Sequence, residues 1–491
     1  MESKIHKAKW WQLPLYACNQ IAINMYVFFM GFISYYLNGF VGVAVVLATS
    51  FVTVMRIWDA VTDPIAGHWL DKLETRFGKF RPFMIVGNIG MLATSFILME
   101  VTYKLPEITR FPFFIVLYMI YTVFMTLQNT VGRAGLAAIT NDPNQRATYG
   151  VLEAIFITLL YSIMPAYFYG TLVNQSQGFT LAFFTSAWEI VAPLSLLATI
   201  VSMIGITPAD QPGSFIKNDQ SVVKFSLKKY WDVLKGNRAM QMLVVSASSD
   251  KLATQVQNNA TVSVILYGII CGNLAVSGAL ATYTSIPNIL FVIFGVGVIA
   301  AKLGQNRAMV ISSAGGLVTC TLLVLLFYIG DPTTLAFPGF EGFHGWTFFS
   351  IAYLVLYVIM KGFASISTGV ITPMIADVTD YEVYRTGNFV PGLIGTVFSF
   401  VDKFISSFGA TLVGLLCALI GFTETLPDAT TPLTPALKHM GIFCMFGTVM
   451  IGLICNLVAM KFYPLTCKKM MEIEEEIARI KANSTAGKDA H

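Results

Sequence analysis

Two carboxylates inside an otherwise apolar segment are the residues of this chain best suited to chemistry. Asp59 and Asp63 are four positions apart in RIWDAVTDPIAG, so on a helix both side chains project from one face, about one turn apart. An ionisable group at mid-membrane costs on the order of 2.5 to 3.5 kcal/mol, and a like charge beside it requires protonation or a cation between the two. The pair therefore predicts a cation or proton site.

A dense basic turn, DKLETRFGKFRP, follows the acid pair directly. Gly78 permits a tight turn, and the charged side chains around it can form a network of ion pairs that opens and closes. The alternative is a basic loop that only sets membrane topology. The charged members of this predicted gate are Asp71, Arg76, Lys79 and Arg81.

The elements that must hold these residues are membrane helices. The chain has 491 residues, of which 55% are hydrophobic and 12% charged, whereas a soluble domain carries roughly 25% charged residues. This composition excludes a soluble fold. The seven cysteines and five histidines are dispersed, without CxxC or HExxH spacing, so we expect neither disulfides nor a metal centre, apart from a possible Na⁺ at the acid pair. The chain also lacks a nucleotide-binding loop or a nucleophile motif, so we expect no enzyme, no cofactor and no nucleic-acid partner.

Twelve apolar runs are long enough to span a bilayer, at roughly 20 residues each. The sequence therefore predicts an all-α polytopic membrane protein with twelve transmembrane helices in two six-helix halves. The runs lie near 11–37, 43–69, 82–103, 112–138, 148–172, 184–206, 240–268, 276–302, 308–329, 346–375, 391–422 and 437–462.

The predicted domains follow from these spans. They are an N-terminal half at 1–206, a cytoplasmic linker with an amphipathic helix at 207–239, a C-terminal half at 240–465 and a cytoplasmic tail at 466–491. Basic residues gather in the loops on the N-terminal side of the membrane, which predicts that both termini are cytoplasmic. NDPNQRATYG after the fourth span matches in position DVTDYEVYRTG after the tenth, which indicates an internal repeat of the two halves.

RIWDAVTDPIAG and the turn after it resemble the glycoside-pentoside-hexuronide:cation symporter family of the major facilitator superfamily. YYLNGFVGV at the end of the first span, AAITNDPNQRATYG after the fourth and ADVTDYEVYRTG before the eleventh extend the resemblance over most of residues 10–465. The resemblance implies a major facilitator fold and a carrier that exposes one central cavity to each side of the membrane in turn.

The resemblance also implies a cation site. In the family, the residues matching Asp59, Asp63, Thr62 and Thr126 ligate the coupling Na⁺ or H⁺. Hard cations are bound by oxygen ligands, which carboxylates and hydroxyls supply. Thr62 stands where the family often has Asn, so the choice between Na⁺ and H⁺ stays open.

A lysine in the eleventh span is the expected coupling residue. Lys403 aligns with a family lysine across the cavity from the acids, and its ammonium would neutralise a carboxylate when the cation leaves. We expect Arg56 to take part in the same coupling. Two alternatives remain: a local pair of Lys403 with Asp402, or acids that are merely paired with Arg56 and Lys403.

The predicted substrate site departs from the family pattern. Galactoside carriers of the family have carboxylates in the first and fourth spans, where this chain has Asn19 or Gln20, and Asn129. Amides still offer sugar hydroxyls donors and acceptors, but without a charge-assisted bond. Tyr26 and Trp58 can stack on a pyranose ring, or can simply pack within the helices.

Two cations in the spans have two possible roles. Arg133 and Lys251 can bind an acidic sugar, or can be paired with Glu153 and Asp250, since an unpaired charge in a membrane span is costly. We favour the pairing.

The favoured hypothesis is cation-coupled symport of a glycoside, pentoside or hexuronide across a bacterial inner membrane by a monomeric carrier in contact with lipid. The alternative is a major facilitator carrier of another solute, such as an organic anion, peptide or drug. A membrane receptor or membrane enzyme is the hypothesis from a different class.

Overall fold

A computed structural model describes most of the chain, and almost all of what it describes is helical. The described residues are 7–72, 75–140, 142–211, 235–294, 304–337, 346–386, 391–466, 469–473 and 475–476. The amphipathic helix predicted in the linker at 226–237 lies outside these residues apart from its last three positions.

Six long helices form the N-terminal half of the sequence. Their bounds are Gln12–Val41 for α1, Val45–Lys72 for α2, Arg81–Glu100 for α3, Glu107–Ile139 for α4, Pro143–Tyr167 for α5 and Leu181–Ile206 for α6. α1 packs along α6 and α5, while α4 packs along α3 and α2. Their shared core includes the buried side chains of Tyr16, Val131 and Ile206.

Six further helices follow the linker. Their bounds are Arg238–Gln257 for α7, Ala275–Phe294 for α8, Gln305–Ile329 for α9, Phe348–Thr386 for α10, Pro391–Ser407 with Gly409–Leu419 for α11, and Pro435–Phe462 for α12. α7 packs along α12 and α11, and α9 packs along α10 and α12. This repeats the neighbour pattern of α1 with α6 and α5, and of α3 with α4 and α6.

The predicted number of spans is confirmed. Ten helices of the described chain are long and apolar enough to cross a membrane, and Ala260–Ile270 with Ala275–Phe291 forms a further pair bent by 112°. α7 is not among them because its polar residues lower its hydropathy. α7 and Ala260–Ile270, separated by only two asparagines, make up the seventh span, and α8 is then the eighth. Twelve transmembrane helices result.

The tenth helix is longer than the span predicted at 346–375. α10 continues to Thr386 because its last turns are polar and held by local contacts rather than by lipid. Arg385 pairs with Glu382 one turn earlier, at 2.8 Å between Nη2 and Oε1. Such a pair supports a helix end.

The chain divides into two compact units whose limits differ from the six-helix halves. The first unit comprises Met1–Val223, Asn259–Ser285 and Ala410–Lys438. The second comprises Lys224–Asn258, Ile286–Gly409 and His439–His491. The domain boundaries derived from the sequence stay a prediction.

Candidate functional site

Three of the four predicted cation residues lie together where α2 crosses α4. The Thr126 hydroxyl is 3.1 Å from Asp59 Oδ1 and 3.0 Å from the Thr62 hydroxyl. Thr62 Oγ1 is in turn 3.0 Å from the Asp59 carbonyl oxygen. Both threonines are buried, at 4% and 1% exposure. A carboxylate, a carbonyl and two hydroxyls thus face one another, which is an oxygen donor set suited to a hard cation.

The fourth predicted residue lies one turn further along α2. Asp63 is half-buried, and its placement on the same helix follows from the four-residue spacing. Arg56 lies one turn before Asp59 and interacts electrostatically with Tyr118 and Asp59. The three charges therefore follow one another along α2, and their roles in cation binding and coupling stay predictions.

The predicted coupling lysine lies on α11. Lys403 and Asp402 belong to the second compact unit, whereas the acid pair belongs to the first. Asp402 interacts electrostatically with Lys251 of α7. The alternation of Lys403 with the cation stays a prediction.

The predicted gate is organised by an aspartate that the sequence did not single out. Asp210, fully buried beyond the end of α6, accepts hydrogen bonds from the backbone N–H groups of Lys79, Phe80 and Arg81, with a shortest N···O distance of 2.6 Å. Arg81 adds a side-chain contact, with Nη2 2.7 Å from the Asp210 carbonyl oxygen. Because α3 begins at Arg81, the carboxylate caps a helix N-terminus, where unsatisfied N–H groups favour an anion.

The turn itself has the shape that its glycine predicts. Gly78 has φ +100° and pairs with Thr75 through two backbone hydrogen bonds of 3.0 and 3.1 Å. Arg76 is exposed, with its guanidinium carbon 4.9 Å from the Phe77 ring centre. The side chain of Asp71 lies outside the described residues. The turn is thus held by hydrogen bonds to Asp210, while its role as a gate stays a prediction.

One predicted sugar-binding amide lies in a buried polar network. Asn19 is fully buried, and its Oδ1 accepts a hydrogen bond of 3.1 Å from Gln128. Gln128 also donates to Thr199, and its own Oε1 accepts from Asn88. These four residues join α1, α4, α6 and α3. The sequence signal for this network was the set of Asn and Gln residues in the middle of apolar helices, a signal that the prediction of Asn19 as a sugar ligand did not use.

The other predicted substrate residues lie in the first unit, except Lys251, which belongs to the second. Gln20 is buried with its amide against Gly132, and Asn129 is half-buried on α4. The Tyr26 ring is buried against Tyr121, with ring centres 6.2 Å apart. Trp58 donates its indole N–H to a backbone carbonyl at 3.3 Å. The side chain of Arg133 lies outside the described residues, so its pairing with Glu153 stays an alternative.

A lysine in the tenth span, absent from the predicted site, lines a cavity in the second unit. Lys361 of α10 donates to the Gln257 side chain of α7 at 2.7 Å. Asp250 lines the same cavity, whose volume is about 360 Å³. Asp250 interacts electrostatically with the adjacent Lys251, and the favoured pairing of Lys251 with Asp250 stays a prediction. The sequence signal for Lys361 was a lone cation in the apolar run VLYVIMKGFASIS.

The repeat noted in the sequence corresponds to similar anchoring contacts in the two halves. After α4, Asp142 pairs with Lys7, at 3.5 Å between Oδ2 and Nζ, just before α1 begins. Near the end of α10, Glu382 accepts a hydrogen bond of 2.8 Å from Asn237, the residue before α7. Each half thus uses an acid near the end of its fourth helix, Asp142 just beyond α4 and Glu382 within the last turns of α10, to anchor the chain at the start of its first helix.

Twelve membrane helices with charged groups at mid-span define a multi-pass membrane protein. The fold is similar to that of the nucleoside transporter NupG, with a TM-score of 0.58 at 11% identity over 93% of this chain and 100% of that one. A family model described as MFS/sugar transport protein matches residues 15–467. The chain belongs to that family, which confirms the relationship predicted from the sequence and makes the protein a membrane carrier and not an enzyme.

Two curated relatives cover nearly the whole chain. The glucuronide carrier protein homolog of Escherichia coli (strain K12) is 25% identical over 484 residues, 95% of either chain. The putative glycoside/cation symporter YagG of the same organism is 23% identical over 480 residues, covering 92% of this chain and 91% of the relative.

Proposed function

We propose that this protein is a secondary active transporter that moves a glycoside, pentoside or hexuronide together with Na⁺ or H⁺ by alternating access. The proposed location is a bacterial inner membrane, with both termini cytoplasmic and a single chain as the transporting unit. The names of the relatives, a glucuronide carrier homolog and a putative glycoside/cation symporter, support the substrate class.

The arrangement of Asp59 with Thr62 and Thr126 is the observation that carries the proposal. A carboxylate at mid-membrane is costly unless it is protonated or neutralised by a cation. The buried Thr126 hydroxyl lies 3.1 Å from the carboxylate, and the buried Thr62 hydroxyl lies 3.0 Å from that of Thr126, so the two hydroxyls supply further oxygens close to the carboxylate. Asp63, one turn away, would complete the set. A bound cation would thereby stabilise a particular arrangement of α2 and α4, which couples its binding to the carrier's conformation.

The contact of Asp210 with the turn between α2 and α3 supports a gate at one end of the carrier. In this proposal, α2 carries the cation site in its middle and leads directly into that turn. In this proposal, a shift of α2 on cation binding would be passed along the chain to Gly78 and Arg81. Rigid-body rocking of helices that end in such contacts is a known mode of switching.

Uptake into proteoliposomes tests the proposal. Labelled neutral and acidic glycosides are offered with an imposed Na⁺ or H⁺ gradient, and one of the two gradients should drive accumulation. Asp59→Asn should abolish the sugar accumulation that the gradient drives, while exchange of the sugar down its own gradient should remain measurable. Asp428→Asn, at an exposed aspartate in the loop after α11, is the control and should accumulate sugar normally. Gradient-driven uptake by Asp59→Asn equal to that of the unmodified protein would refute the coupling assignment.

A second candidate is a carrier of another solute, such as an organic anion. The observation that favours it is the position of Asn19, which is fully buried and bonded within the helix bundle, where it cannot contact a solute without repacking. Thermal shifts of the purified protein across sugars, peptides and organic anions would separate the two candidates.

A further inference from the structure

The cavity of the second unit is bounded by α7, α9, α10 and α12. Its volume of about 360 Å³ falls within the range of roughly 300 to 1,000 Å³ found for small-molecule sites. One part of its wall is apolar, with Met360, Val449 and Leu453. Its polar wall consists of Asp250, Thr254, Gln257, Lys361, Ser365 and Thr368.

Lys361 is held in place by a chain of hydrogen bonds. Its ammonium donates to Gln257 Oε1 at 2.7 Å, and Gln257 Nε2 donates to the Met445 carbonyl at 2.9 Å. Gln257 is only 5% exposed, so its orientation is set by the backbone of α12. The ammonium also lies 5.5 Å from the centre of the Tyr357 ring. A lysine held in this way is pre-organised, because its long side chain is already ordered before a ligand binds and loses little further conformational entropy on binding.

No carboxylate among the described residues lies within ion-pair distance of the Lys361 ammonium. Asp250 lines the same cavity and interacts electrostatically with both Lys251 and Lys361, without an ion-pair contact to Lys361. Asp402 also interacts with Lys251. The ammonium has three N–H donors, and Gln257 accepts only one. A cation in a membrane span that lacks a directly contacting anion is costly, so an anionic ligand in the cavity would gain a charge-assisted bond there.

We propose that this cavity is a binding site for the carboxylate-bearing ring of a hexuronide, with Lys361 as the partner of the sugar carboxylate. The inference rests on the proposed sugar transport and specifies an acidic substrate. Asp250 accepts hydrogen bonds from ring hydroxyls, and the hydroxyls of Thr254 and Ser365 supply further donors and acceptors. The apolar wall packs against the C–H face of the ring. Two neighbouring groups of opposite charge suit a ligand that has both a carboxylate and hydroxyl donors.

Ligand binding to the purified full-length protein in detergent tests the site without any transport step. Calorimetry with D-glucuronate, D-glucose and cyclohexanecarboxylate should show tightest binding for glucuronate, since only this ligand has both the charge and the hydroxyls. Lys361→Met, which keeps length and apolar bulk, should weaken glucuronate binding about tenfold or more and leave glucose binding nearly unchanged. Lys361→Arg should retain the preference for glucuronate.

Lys461→Gln is the matched control, because it removes an exposed lysine at the end of α12 outside the cavity. It should bind all three ligands like the unmodified protein. Equal loss of glucuronate and glucose binding in a folded Lys361→Met variant would overturn the proposal, because the lysine would then support the helices and not the carboxylate. Cyclohexanecarboxylate binding as tightly as glucuronate would overturn the sugar assignment.

Binding and transport by the unmodified protein test the proposal without any variant. If the unmodified protein binds glucose as tightly as glucuronate, the proposal is wrong whatever the variants do. Transport of neutral glycosides with no preference for acidic ones would refute this inference while supporting the proposed function. Absence of any sugar flux would instead refute the proposed function.

Discussion

The Asp210 carboxylate receives the backbone N–H of Arg81 at 2.9 Å, at the point where α3 begins. The two residues are 129 positions apart, yet the contact satisfies donors that a helix start cannot satisfy by itself. The Arg81 side chain is 3.4 Å from the same carboxylate oxygen and contacts the Asp210 carbonyl. The end of α6 is thereby joined to the turn between α2 and α3.

Removing this cap should destabilise the protein. Asp210→Ala leaves up to three backbone N–H groups without their acceptor, two of them on half-buried residues, and we expect a loss on the order of 2 to 4 kcal/mol. Thermal unfolding in detergent should show a clearly lower midpoint. Asp428→Ala, at an exposed aspartate, should change the midpoint little. Equal midpoints for both variants would show that water replaces the carboxylate at no cost.

The turn glycine should be equally intolerant of a side chain. A Cβ at Gly78 would lie 2.5 Å from the Asp210 carboxylate carbon and from its carbonyl oxygen, and φ is +100°. Gly78→Ala should therefore both strain the turn and displace Asp210, so that uptake and thermal stability fall together. Gly150→Ala on α5 is the control, because a Cβ there meets nothing within 4 Å. A Gly78→Ala variant that transports normally would contradict the importance of this contact.

The hydroxyl beside Asp59 should affect the affinity for the coupling cation. Thr126→Val keeps the shape of the side chain and removes the oxygen 3.1 Å from the carboxylate. We expect the cation concentration for half-maximal uptake to rise about tenfold, which corresponds to about 1.4 kcal/mol. Thr130→Val is the matched control, since Thr130 bonds to the backbone of α4 one turn away. If the two variants have the same cation dependence, Thr126 is not part of the cation site.

The end of α1 contacts the loop after α11 through the Asn38 amide and through the Tyr35 hydroxyl, which donates to the Pro427 carbonyl at 3.0 Å, and hydrogen exchange can test the contribution of Asn38. Asn38 donates to the Glu424 carbonyl at 2.6 Å and accepts from the Leu426 N–H at 3.0 Å. Asn38→Ala should speed hydrogen exchange of the Leu426 amide, because its acceptor is lost. Asn174→Ala, whose amide bonds only within its own helix, should leave that exchange unchanged. Unchanged exchange in Asn38→Ala would mean that the loop is held by other contacts.

Much of the fold follows from the sequence because lipid imposes a simple rule on it. A span needs roughly 20 apolar residues with all backbone groups paired, so uninterrupted apolar runs correspond to helices. The rule was weakest at α7, whose Asp250 and Lys251 lower its hydropathy, and at α10, which extends beyond its apolar part. At both places, contacts with other helices or with neighbouring side chains accommodate the charged residues, and the mean hydropathy of a local stretch of sequence does not show such contacts.

The cation site was partly visible in the sequence. The spacing of Asp59 and Asp63 on α2 is a local property, so it was predicted directly. Thr126 was assigned only through the family resemblance, and the structure places its hydroxyl beside Asp59. Asp210 and Lys361 were missed because their partners lie on other helices, and no spacing rule connects residues more than a hundred positions apart.

By itself, the sequence determined the membrane class, the twelve helices and the presence of a costly acid pair, because these depend on local apolar content and helical period. Only the tertiary structure decided which polar groups meet. It placed Asn19 within a buried network, set Asp210 at the start of α3 and directed Lys361 into a cavity with Gln257. Helix packing determines such contacts, and packing depends on the shape of every neighbouring side chain rather than on any one segment.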